Sequence, residues 1–175
     1  YSVIVHEYFH VYQLSISQPM NEPNGGYNPN TFSIKWLIEG AATVIESIYI
    51  QEFYGYNYFI NELAYANISD FVHTNPSIFE SYNSNNIDVN YTSSVFMILT
   101  LAKELIELGH SEEDAFNMIF KEFMLTGAKN SDWENFFVDI FGFSVDDFYD
   151  ILQSYMLNLE DVTPSSSLLL PQIFD

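Results

Sequence analysis

Five consecutive residues near the start of the chain, His6-Glu7-Tyr8-Phe9-His10, have the types and spacing of a hydrolytic metal site. On an α-helix, residues four apart stand one turn above each other, so His6 and His10 present two imidazoles to a single point on one face. That geometry suits Zn2+. Glu7 is one residue on from the first imidazole, close enough to reach an attacking water without binding the metal, which is where a general base for hydrolysis belongs. A third ligand is offered by Trp36-Leu37-Ile38-Glu39-Gly40-Ala41-Ala42. A glutamate early in an apolar helix is costly to bury unless paired or metal-bound, and Gly40 and Ala41 let another backbone come close. Two histidines and one glutamate leave a fourth position for water, as catalytic zinc requires. The blander readings are two helix-face histidines without a metal, and a Glu39 that is solvated near a helix N-terminus and favoured there by the dipole.

Helices must position these groups. Residues 1–17 read as a first helix, in which Ile4, Val11 and Leu14 share an apolar stripe. The chain opens in mid-helix without a cap, an expectation of further sequence upstream. Residues 18–30 form a Pro/Gly/Asn-rich loop, and a second helix follows over about residues 33–53. The Tyr- and Asn-rich stretch 54–90 reads as one or two short helices joined by loops. A long apolar helix covers about residues 91–108 and stops at Gly109. Three capping boxes follow, at Ser111 to Asp114, Ser131 to Glu134 and Ser144 to Asp147, each opening a helix; the first two of these helices stop near Gly127 and Gly142. Residues 1–158 read as one helical domain and 159–175 as a tail.

Composition narrows the function classes. The 175 residues, 48% of them hydrophobic and 18% aromatic, can bury a core. Against 24 acidic residues stand four lysines and no arginine, so the net charge of −20 repels phosphate backbones, and nucleic acid is not an expected partner. No run of about 18 consecutive apolar residues is present, so no segment of this chain reads as membrane-spanning. With no cysteine, any metal must be held by histidine and carboxylate. His73 and His110 read as surface residues.

The segments His6 to Gln13 and Trp36 to Ala42 together resemble the gluzincin metallopeptidases, which include thermolysin-like and aminopeptidase-N-like enzymes and bacterial collagenases. The first looks like that family's first active-site helix, and the second like its second, in the tryptophan-x-x-glutamate-glycine form. The resemblance implies a mainly α chain, the helical metal-bearing subdomain of a zincin-like metallopeptidase whose β-sheet lies upstream and outside this chain. It implies His6, His10 and Glu39 as zinc ligands, Glu7 as general base, a peptide or protein as substrate, and a secreted or cell-envelope location. Where thermolysin-type enzymes carry an aspartate four residues after the ligand glutamate, Thr43 stands here. The hydrogen bond that steadies a ligand histidine then falls to Thr43 or Glu46. Asn90-Tyr91-Thr92-Ser93-Ser94 is similar in placement to the segment whose tyrosine stabilises the oxyanion in aminopeptidase-N-like enzymes, although the Lys-Gly usual after that tyrosine is absent. The resulting expectation is a zinc-dependent peptidase. The alternatives are a non-catalytic peptidase-like binding module and an acidic helical domain of structural role, the latter without an aspartate-rich calcium loop.

Overall fold

The computed structural model describes residues 2–17, 32–82 and 90–175, and among these the protein is mainly α-helical with no strand. The helices, in order, are α1 (Ser2–Ser17), α2 (Lys35–Tyr54), α3 (Tyr58–Asn61), α4 (Phe71–Thr74), α5 (Tyr91–Glu107), α6 (Glu112–Asn117), α7 (Phe123–Leu125), α8 (Trp133–Phe141), α9 (Val145–Leu152) and α10 (Leu170–Phe174). A π-helical turn, Met118–Glu122, joins α6 to α7. The 18–30 loop of the sequence reading lies outside the described residues.

The long helix α2 is apolar around most of its circumference, the pattern of a helix enclosed by others, and 13 of its 20 residues are buried. It ends at Gly55, whose φ of 65° lets its N–H return to the Gln51 carbonyl. Alongside runs α5, opened by the Asn90 side chain, which accepts from the Ser93 N–H. Gly40 is the point of contact between them. A Cβ there would meet the Ser94 carbonyl oxygen at 2.6 Å and Ile98 Cγ1 at 2.8 Å, so the two backbones approach only because the side chain is absent.

Below the site lies an aromatic core centred on Phe137. Its ring stands 4.7 to 6.4 Å from those of Trp36, Phe123, Trp133, Phe141, Phe143 and Phe148. A polar thread crosses this core: the Trp36 indole N–H donates to the Tyr149 hydroxyl at 3.2 Å, which donates to Glu80 at 2.8 Å. Buried aromatic N–H and O–H groups need such partners.

Three features differ from the sequence reading. On α1 the stripe of Ile4, Val11 and Leu14 exists but faces outward with Tyr8; only Phe9 and Gln13 of this helix are buried among its described side chains. The Ser131 capping box does not form. Asp132 is the N-cap of α8 and spends its carboxylate on the Lys129 N–H at 2.7 Å, whereas the Ser144 box of α9 is complete and the Ser111 hydroxyl caps α6. Residues 159–175, read as a tail, are packed against the helices. Leu159, Leu168 and Ile173 are buried, Lys121 Nζ donates to the Phe174 carbonyl at 3.1 Å, and the Leu170 N–H donates to Glu52 at 2.9 Å.

The contact at Gly40 makes a sharp test. Gly40→Ala should destabilise the fold by about 1–3 kcal/mol through overpacking, outweighing the roughly 1 kcal/mol that alanine gains over glycine in an open helix. Urea unfolding followed by circular dichroism measures it, and an unchanged or raised midpoint would show that α2 and α5 do not meet there.

Candidate metal centre

The histidine pair sits on α1 with its rings edge to face, 4.7 Å apart. Its α-helical spacing of four carries both imidazoles to the side that faces α2. Glu39, in the second turn of α2, points back at them. His6 Nε2 lies 3.3 Å and His10 Nε2 3.5 Å from Glu39 Oε2, and the two Nε2 atoms are 3.0 Å apart. Imidazole and carboxylate ligands hold a tetrahedral ion at about 2.0–2.1 Å, which puts neighbouring ligand atoms about 3.3 Å apart. The three measured edges bracket that value, so His6, His10 and Glu39 form one face of a site that could hold a metal.

The rear nitrogens of both rings are engaged. His6 Nδ1 faces Glu46 Oε2 at 3.4 Å, and His10 Nδ1 faces Gln13 Oε1 at 2.9 Å. Glu46 lies seven residues after Glu39, two turns along the same face of α2. These carboxylates concentrate negative potential on the imidazoles. Hydrogen bonds donated to Glu39 and then to Glu46 raise the pKa of His6 to about 9 against the opposing effect of burial, and the bond to Glu39 likewise raises that of His10. For Glu39, burial alone would raise the pKa; the hydrogen bonds from His10, His6 and Tyr82 outweigh it and hold the carboxyl well below its usual range. The cluster thus favours positive charge at the point where the three ligand atoms converge.

The remaining residues singled out in the sequence fall as follows. Glu7 is exposed, one residue from His6. Tyr91, at the start of α5, brings its ring to 6.3 Å from that of His6. Burial, then the charges of Glu39 and Glu7, raise the pKa of its hydroxyl, which stays protonated and able to donate. Thr43 does not steady a histidine: its hydroxyl donates to the Glu39 carbonyl of its own helix at 2.9 Å, the usual refuge of a buried threonine in a helix. Glu46 takes that place. His73 is half-buried and bonded to the Tyr155 carbonyl at 3.0 Å, while His110 is exposed.

Two contacts escaped the sequence reading. Tyr82 donates its hydroxyl to Glu39 Oε1 at 2.8 Å, and no spacing rule links a residue of an irregular segment to a helix 43 positions away. Gln13 could have been found, because it follows His10 by three residues, a helical neighbour spacing. Lys35 completes the rim, with Nζ 5.9 Å and 5.7 Å from the ring centroids of Tyr82 and Tyr91.

Elemental analysis of the zinc-reconstituted protein should find about one zinc per chain, the stoichiometry of a three-ligand site, and His10→Ala should abolish it. Full retention of zinc by that variant would place the metal elsewhere. No protein-family model, curated protein or solved structure matches this chain, so its chemistry rests on the residues themselves.

Proposed function

We propose that the protein is a zinc-dependent peptidase of the gluzincin type, with His6, His10 and Glu39 as zinc ligands. The observation that carries this reading is the triangle of Nε2, Nε2 and Oε2 atoms with edges of 3.0, 3.3 and 3.5 Å, beside which the neighbouring Glu7 is left exposed. A donor set of two imidazoles and one carboxylate, with no thiolate in the chain, is the catalytic type of zinc site. Zinc held by His6, His10 and Glu39 would supply Lewis acidity toward a water and a peptide carbonyl.

The protein's own groups then have separate tasks. Glu7 accepts the proton of the attacking water and delivers it to the departing amine, the two-way role that an accessible carboxylate at this spacing can perform. The Tyr91 hydroxyl donates to the oxyanion that develops on the carbonyl. Tyr82 holds Glu39 by its other oxygen, fixing which one faces the histidines. A net charge of −20 disfavours anionic substrates over long range, and a neutral or basic peptide fits better than an acidic one.

Zinc-loaded Glu7→Gln should retain its metal and lose cleavage of a peptide library by at least about 100-fold, the lower end of what general base catalysis contributes. Undiminished cleavage would sink the assignment. For Tyr91→Phe, kcat should fall by about 100- to 1,000-fold, as when one oxyanion donor is removed, with KM little changed. A Tyr91→Phe enzyme with wild-type kcat would remove Tyr91 from the chemistry and leave Glu7 in it.

A further inference from the structure

Gln13 is 4% exposed, at the seam between α1 and α2, and its amide meets groups of opposite demand at its two ends. The end that lies 3.3 Å from the Ile38 carbonyl oxygen must be the NH2, because a carbonyl only accepts. The end that lies 2.9 Å from His10 Nδ1 is therefore the amide oxygen, and Nδ1 must carry the hydrogen. In a neutral imidazole with Nδ1 protonated, the lone pair sits on Nε2. That atom is the one 3.5 Å from Glu39 Oε2.

We infer that Gln13 is a positioning residue, which takes its direction from the α2 backbone and imposes on His10 the tautomer that binds a metal. Ile38 adjoins Glu39, so the same amide ties the His10 ring to the segment that carries the third ligand. His6 is served differently. Its Nδ1 faces the Glu46 carboxylate, which accepts but has no hydrogen with which to reach back to the α2 backbone. The two histidines are thus oriented by unlike means, one by charge and one by a relayed amide. This inference rests on the zinc reading above.

Two variants of equal length separate the parts. Gln13→Met removes both polar ends; Gln13→Glu keeps an acceptor for His10 Nδ1 and loses the donor to Ile38. Zinc affinity is read by competition with a chromogenic chelator, the ligand field by visible absorption of the Co2+-substituted protein, and the His10 tautomer by long-range 1H–15N NMR of the zinc form. Gln13→Met should bind zinc about 10- to 100-fold more weakly, the usual effect of losing a ligand's hydrogen-bond partner, with an altered Co2+ spectrum. Gln13→Glu should recover most of that affinity and keep the proton on Nδ1. Wild-type affinity and spectrum in a folded Gln13→Met overturns the role of Gln13 and leaves the zinc site standing. No zinc in the wild type overturns the zinc reading and this inference together. Should Gln13→Met not fold, Gln13→Glu decides alone, and loss of zinc or of the Nδ1 proton in it counts against the inference.

Discussion

The close passage of α2 and α5 at Gly40 sets the rotation of α2 about its own axis. A helix turns by about 100° per residue, so with Gly40 pressed against Ser94 the preceding Glu39 cannot also face α5. It faces α1 instead. Glu46, two turns later, follows it to the same side and meets the same helix at His6. The rim follows from the same contact, since Tyr91 opens the helix on which Gly40 rests. Rolling α2 to relieve that contact would carry both carboxylates away from both histidines. The aromatic core holds the start of α2 in register through Trp36, which is stacked on Phe148 with centroids 5.5 Å apart and tied to Tyr149 by its indole N–H.

Within that frame the electrostatics are of one sign. Glu39 and Glu46 approach the two imidazoles from α2, and Tyr82 donates to the side of Glu39 turned away from them. Buried carboxylates demand compensation, and here it comes from two imidazoles and a tyrosine hydroxyl. Lys35 adds the only cation that stands over the tyrosine pair among the described residues.

Much of this was legible in the residues themselves, where a helix imposes a period. His6 and His10 are four apart, Glu39 begins an apolar run, and α5 stops at Gly109, each a short-range signal that survives folding. The Ser144 box was equally local, with both halves of its bond inside four residues. What was not legible required knowing which face turns inward. The stripe on α1 has helical spacing, but periodicity does not say which of two faces will find a partner, and Phe9 with Gln13 found one. Ser131 does not cap α8 because the N-cap position falls one residue on, at Asp132, whose carboxylate accepts from the Lys129 N–H instead. The packing of Leu168 and Ile173 could not be read from a short segment without a period, and Tyr82 reaches Glu39 from two residues beyond the 3-10 turn Pro76–Glu80, outside any helical period.

The seam between α1 and α2 gives the candidate metal centre a mechanical side. On α1 Phe9 and Gln13 are buried and Val5, Tyr12 and Ile16 pack half-buried on the core, whereas α2, to which it is joined at the site, is buried over most of its length. A cation bound by two groups of α1 and one of α2 would act as a clasp between the two helices. Its binding free energy would then contribute to keeping α1 docked on α2. In such a molecule, metal binding and the attachment of the first helix would be coupled equilibria.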